Sequence, residues 1–226
     1  MAARLATLTR RGAAALARPA RRLTDAKGVE PGEIIVCVLD RPRHADLIAE
    51  LRALGCGVVL IGDGDVAGVI AVTDPDTTID MYMGQGGAPE GVLAAAALRC
   101  VGGQFNGRLL FRNDDEKARA AKWGVEDLDR IYTLGELAKG DCIFAATGVT
   151  SGSLLEGVKR LPGGRMTTES VVMRSSSGST YLLTPVFQSQ ASISVRTKDT
   201  HWSCMARPHV PGRAMSSTLS GAWSVI

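Results

Sequence analysis

The period of apolar and polar positions changes along the chain, and each period predicts an element. Residues 33–39, EIIVCVL, are a short apolar run rich in β-branched side chains and predict a buried strand. Leu47, Ile48, Leu51 and Leu54 then fall on one helical face, and Gly55 ends that helix. Residues 58–61 predict a second buried strand and residues 66–72 a short helix. Ile79, Met81 and Met83 alternate as a third strand. Pro89 sits where a first helical residue belongs, ahead of the long apolar helix 91–100. Further on, the pattern predicts a strand at 109–111, a charged helix at 114–122, a buried strand at 142–146 and a last strand at 170–174. Thr133 with Glu136, and Ser153 with Glu156, have the spacing of capping boxes, the first for a short helix ending at Gly140. Strands alternating with helices predict an α/β fold with a largely parallel sheet covered on both faces.

The ends of the chain differ from this middle region. Residues 1–27 are rich in Ala and Arg and hold no acid before Asp25, which reads either as an amphipathic transit peptide or as a disordered basic arm. Residues 175–226 gather Ser and Thr, contain Trp202 and Trp223 and show no clear period; they read as a poorly ordered tail. The organisation expected is therefore an arm at 1–27, a folded region at 28–174 and a tail at 175–226.

Charge and composition narrow the function. The formal charge of the 226 residues is +3, but six arginines lie in residues 1–24; without them 20 basic side chains face 23 acidic ones. The body is mildly acidic and gives no case for a nucleic-acid partner. No run of about 18 apolar residues exists, which argues against a transmembrane helix. Five cysteines, none at C-x-x-C spacing, argue against a zinc ribbon and a disulfide scaffold; they read as small hydrophobes.

The polar residues gather where strands end, and in an open α/β sheet ligands bind outside those ends. The first strand runs into Asp40-Arg41-Pro42-Arg43-His44, the second into Asp63-Gly64-Asp65, the third into residues 84–91, and the strand at 142–146 into Thr147-Gly148-Val149-Thr150. Four such ends predict one shared site. Two guanidinium groups around the stiff Pro42 suit a phosphate, unless one of them pairs with Asp40 or another surface acid. Asp63 and Asp65, separated by Gly64, suit sugar hydroxyls or a hard cation, while Asp65 equally suits a helix cap. The glycine-rich run opening a helix lets backbone N–H groups approach a phosphate, and Glu90 in the first turn either favours the helix dipole or reaches a metal ion. The spacing is neither a Walker loop nor G-x-G-x-x-G. His44 reads as a base, a cap or a neighbour of the phosphate.

The strings VCVLDRPRHADLI, LIGDGDVAGVI, MGQGGAPEGVLAAAALRCVGGQFNGRLL and FAATGVTSGSLLEGV resemble the C-terminal half of class II fructose-1,6-bisphosphatase, from about Val36 to Arg174. The resemblance implies a layered α/β sandwich of the sugar-phosphatase, inositol monophosphatase-like type, truncated on its N-terminal side. It implies manganese- or magnesium-dependent hydrolysis of fructose 1,6-bisphosphate to fructose 6-phosphate in gluconeogenesis, with sedoheptulose 1,7-bisphosphate as a substrate in some lineages. On this resemblance Arg41, Pro42 and Arg43 match the substrate-phosphate segment, Asp63, Gly64 and Asp65 the sugar-binding segment, Gly87 a substrate-contacting glycine and Glu90 a metal ligand. It also implies a cytoplasmic protein, or a mitochondrial or plastid one if residues 1–22 are a transit peptide, and leaves a homo-oligomer open. On the same resemblance, most of the family's metal carboxylates lie upstream of the matched region. The expectation is thus a chain weak or inactive alone, or alternatively a non-catalytic sugar-phosphate-binding or partner-binding fragment.

Overall fold

The computed structural model describes residues 17–188, together with the strand backbones of residues 202–206 and 222–225. The first unit is built around β1 (Ile35–Leu39), which pairs in parallel with β2 (Gly57–Ile61) on one side and β3 (Met81–Tyr82) on the other. Helix α2 (Ala45–Leu54) makes the crossover between β1 and β2 and stops at Gly55, whose φ of 93° is a left-handed conformation suited to glycine. Successive strand residues point to opposite faces, so β1 feeds two cores. Val36 and Val38 pack with Leu47, Ile48 and Leu51 of α2. Cys37 packs on the other face with Val66, Val69 and Ile70 of α3 (Asp65–Ala71).

Helix α4 (Ala88–Val101) lies beside α3 and beneath a second sheet. Its alanines at 94–97 are all but fully buried, and their small side chains let the helix pack closely on its neighbours. The second sheet is antiparallel, in the order β11 (Ser179–Leu183), β10 (Ser170–Arg174), β7 (Cys142–Thr147), β13 (Trp202–Ala206). Phe144, Val171 and Met173 from it join the α3–α4 core. A third sheet has the order β4 (Gly84–Gly87), β14 (Ala222–Val225), β5 (Asn106–Leu110), β6 (Tyr132–Thr133). Strands β8 (Lys159–Leu161), β9 (Arg165–Thr167) and β12 (Val186–Gln188) form a small antiparallel sheet. Helices α5 (Asp114–Lys122) and α6 (Leu134–Leu137) complete the described elements. No helix among the described residues is long and apolar enough to cross a membrane.

The α/β class agrees with the sequence pattern, but the pairing differs from it. Only β1, β2 and β3 pair in parallel; every other described ladder is antiparallel. The second strand is not buried on both faces. Among the described residues β2 pairs only with β1, and Val59 and Leu60 stay 38% exposed. Strand β7 is half-buried: Cys142, Phe144 and Ala146 face the core while Ile143 is exposed. Ser153 and Glu156 cap no helix. The Glu156 carboxylate instead accepts from the Ser151 hydroxyl at 2.7 Å, and the Glu156 N–H donates to Glu169 at 2.8 Å.

Residues 18–27, expected within the basic arm, form helix α1 (Arg18–Lys27). Ala17, Ala20 and Leu23 are buried against Val36, Val38 and Met81. Lys27 pairs with the buried Asp80, which also accepts the Ile35 N–H at 2.9 Å. Three apolar positions and one ion pair thus dock a helix that its arginines had disguised. Residues 1–16 lie outside the described residues. The expected boundary at 174 falls inside the β10–β11 hairpin, because Ser179–Leu183 returns antiparallel along β10.

Candidate functional site

The site is built where β1, β2 and β4 end or begin. After Leu39 the Asp40 N–H donates to Ile61 O at 2.8 Å, tying the end of β1 to the end of β2. Pro42–His44 then makes one 3-10 turn that leads directly into α2. The turn buries His44 almost completely. Its Nδ1 lies 2.8 Å from Leu39 O, and the Gln85 N–H donates to its Nε2 at 2.9 Å. A backbone carbonyl can only accept and a backbone N–H can only donate. The ring is therefore neutral, with its proton on Nδ1. Burial pushes its pKa below the ordinary imidazole value, in the same direction as the nearby Arg43 charge.

Arg43 grips the same residue from outside. Its Nε and Nη2 donate to Gln85 O at 3.0 and 2.8 Å. The N–H of Gln85 is thus held by a buried imidazole and its C=O by an exposed guanidinium. Arg41 has a looser contact, Nη1 to Asp40 O at 3.2 Å. Neither arginine takes the acid partner that the sequence left open; both bond to main-chain carbonyls.

Asp65 opens α3 after Gly64, which stands in the left-handed region with φ of 80°. Its Oδ1 accepts the Val66 N–H at 2.9 Å. Glu90 opens α4 and turns back, so that its Oε2 accepts the Gly87 N–H at 2.6 Å. The two carboxylates meet over Gly86. A Cβ on Gly86 would lie 2.7 Å from Asp65 Oδ2 and 3.2 Å from Glu90 Oε2; one on Gly87 would lie 3.0 Å from Glu90 Oε2. A side chain at either glycine would have to displace these acidic oxygens. Burial, and then the Glu90 charge, push Asp65 up to about 6. Beneath the pair, Tyr82, Val69 and Ala94 close a space of about 10 Å³, room for no more than one water. Burial, and then Asp65, raise the pKa of the Tyr82 hydroxyl, which stays protonated.

The structure thus brings together the Arg41–Arg43 turn, Asp65, Gly87 and Glu90. Asp63 is exposed, its Oδ1 accepts the Gly64 N–H at 2.8 Å, and its charge adds to the raised proton affinity of Asp65. The fourth strand end, 147–150, turns elsewhere. Gly148 donates to Glu169 O at 2.8 Å and accepts from the Thr168 hydroxyl, and Val149 O accepts the Val158 N–H. Sequence reasoning did not single out Gln85 or Tyr82, whose roles arise from tertiary contacts. The glycines flanking Gln85 were the available signal.

A hard divalent cation takes six or more oxygen ligands, several of them anionic. Asp65 and Glu90 fit part of such a set, two carboxylates facing one another with raised proton affinity on one. Among the described residues no three His, Cys, Asp or Glu side chains converge.

At its strand ends the α/β fold carries arginines, paired acids and a glycine-rich helix start, the region where open α/β sheets bind ligands. Residues 13–185 match the family described as bacterial fructose-1,6-bisphosphatase, glpX-encoded, and the chain belongs to that family. It is 42% identical over 171 residues to a protein of Crocosphaera subtropica named D-fructose 1,6-bisphosphatase class 2/sedoheptulose 1,7-bisphosphatase, covering 70% of this chain and 50% of the relative. Proteins of the same name from Trichodesmium erythraeum and Microcystis aeruginosa are each 43% identical, over 158 and 157 residues, covering 64% of this chain and 46% of either relative. The chain spans about half the length of the curated relatives it matches.

Proposed function

We propose that this chain forms the sugar-bisphosphate-binding part of a metal-dependent phosphatase. The substrate is fructose 1,6-bisphosphate, which hydrolysis converts to fructose 6-phosphate and phosphate, with sedoheptulose 1,7-bisphosphate as a related substrate. The enclosing architecture is a layered sandwich of the sugar-phosphatase type. The observation that carries this reading is the meeting of the Arg41–Arg43 turn with Asp65, Gly87 and Glu90 around Gln85 and Gly86.

In this reading Arg41 binds a phosphate oxygen, and Arg43 offers Nη1 to the same group while its other edge orients Gln85. Asp63 and Asp65 accept hydrogen bonds from sugar hydroxyls. Glu90, with Asp65 beside it, would hold a manganese or magnesium ion, which when bound supplies Lewis-acid polarisation of a phosphoryl oxygen. The two-carboxylate donor set favours a chain that binds substrate but turns it over weakly alone. Calorimetric titration with fructose 1,6-bisphosphate and manganese, paired with a phosphate-release assay, tests both parts. Binding with near-background release is expected from the 226-residue chain. Release should rise when the N-terminal half of a complete relative is added. Absence of binding would remove the substrate assignment. Robust release by the chain alone, abolished by Glu90→Gln, would overturn the weak-activity reading.

A further inference from the structure

Strands β4 and β5 are joined by α4, and both run antiparallel to β14, which lies between them. Ala222, Trp223, Ser224 and Val225 stand opposite Gly87, Gly86, Gln85 and Gly84 on one side. The same four residues stand opposite Leu110, Leu109, Arg108 and Gly107 on the other. The β4–α4–β5 crossover therefore encloses a slot one strand wide. Neighbouring strands lie about 4.8 Å apart, so β4 and β5 are separated by roughly 10 Å and do not reach one another.

The slot depends on its occupant. Among the described residues β14 is the only strand beside β4, and without it β5 keeps only the two-residue β6. Strand β4 is Gly-Gln-Gly-Gly, with three residues that have no side chain to anchor by packing. The Gln85 N–H and C=O and the Gly87 N–H already have side-chain partners in His44, Arg43 and Glu90, so it is at the buried Gly84 and the half-buried Gly86 that unpaired main-chain groups would be unfavourable. The family match ends at residue 185, so the walls of the slot belong to the matched region and β14 does not.

We infer that the space between β4 and β5 is a strand-binding site, and that this chain fills it with its own residues 222–225, so that a segment outside the family-matched region holds the glycine strand of the candidate site. The ligand class is an extended peptide, recognised through main-chain hydrogen bonds on both of its edges. The inference rests on strand pairing and is independent of the substrate proposed above.

Two measurements on the full chain test it. In the double variant Gln85→Cys, Ser224→Cys the two sulfurs sit on directly opposed residues, whose Cα separation of about 4.5–5.5 Å suits a disulfide. Mild oxidation followed by peptide mapping is expected to give a Cys-to-Cys link between positions 85 and 224 within one chain. No link would overturn the proposal, as would a link only between two chains, which would assign the slot to a second copy. In Trp223→Pro a central strand loses a ladder donor. Hydrogen exchange at Gly84, Gly86 and residues 107–110 is then expected to speed up by about tenfold or more, while residues 36–39 keep their protection. Wild-type exchange in β4 and β5 would overturn the proposal. Equal loss throughout the chain would overturn the claim of a separate slot.

Discussion

His44 and Gln85, 41 residues apart in sequence, are joined by a hydrogen bond of 2.9 Å in which the Gln85 N–H donates to Nε2 of the buried imidazole. With the Leu39 contact on Nδ1, the ring bridges the end of β1 to the start of the glycine strand. His44→Ala strips two main-chain groups of their side-chain partner. An unsatisfied buried polar group costs about 1–3 kcal/mol, so a loss of about 2–4 kcal/mol is expected in urea unfolding. An unchanged midpoint would show that the bridge contributes nothing.

The same ring makes stability depend on pH. Its folded pKa lies below the unfolded value of about 6.5, so the unfolded chain takes up the proton first as pH falls. The stabilisation from neutral His44 is complete above about pH 6.5 and declines below it, toward the lowered folded pKa. Comparing the unfolding free energy of wild type and His44→Gln between about pH 7.5 and pH 5.5 isolates this contribution. The wild type is expected to lose its advantage as the solution is acidified, and a pH-independent difference would refute the assignment.

Asp65 has the opposite sign. Its folded pKa of about 6 lies above the unfolded value near 3.9, so the native state is favoured by protonation and weakened as pH rises through that window. Asp65→Asn removes a half-buried charge beside Glu90 and is expected to stabilise the fold by about 1–3 kcal/mol at pH 8, measured by urea unfolding. The same variant should bind fructose 1,6-bisphosphate more weakly. A destabilised Asn variant at pH 8 would sink the like-charge account of this pair.

The two arginines are expected to separate in mutagenesis. Arg41→Ala should weaken sugar-bisphosphate binding by about 1.5–3 kcal/mol while leaving stability within about 0.5 kcal/mol, because its hydrogen bond to Asp40 O is long and exposed. Arg43→Ala should lower stability as well, by about 1 kcal/mol, since both bonds to Gln85 O disappear. Calorimetry and urea unfolding on the two variants give the comparison. Identical behaviour of the pair would contradict the distinction.

Gly68 in α3 sets propensity against packing. Alanine there would gain about 1 kcal/mol of helix propensity. Its Cβ would stand 2.8 Å from Ile61 Cδ1 and 3.0 Å from the buried Tyr82 ring, and overpacking of that kind costs about 1–3 kcal/mol. Gly68→Ala is expected to be net destabilising, and a raised melting temperature would show that Ile61 and Tyr82 yield more easily than their burial suggests.

Much of the local structure was legible because punctuation residues mark it. Gly55 ends α2, Pro89 opens α4 and the charge pattern bounds α5 at Asp114–Lys122. Pairing was less legible, since a strand such as β7 shows its own period but not the direction of the strand beside it. α1 escaped notice because its apolar face rests on few residues among arginines. At the site, Arg41, Arg43, Asp65, Gly87 and Glu90 share an end of the fold by virtue of following strands, which sequence order reveals. The meeting of Asp65 with Glu90 over Gly86 and the role of His44 depend on which groups come within reach after folding, and no spacing rule encodes that.

The placement of β14 also fixes an order of events in time. The β1–α2–β2 unit closes over a short stretch of sequence, whereas β4 gains its strand neighbour only from residues 222–225, more than a hundred positions later in the chain. Non-local pairings of this kind form slowly, because the entropy of closing a long loop is lost before any contact repays it. During synthesis the glycine strand stays without this neighbour until residues 222–225 have appeared. Pulse-labelling during refolding is expected to find amides of β1 protected in an early phase and those of Gly84 and Gly86 in a late one, so the glycine strand becomes native after the turn that carries Arg41 and Arg43.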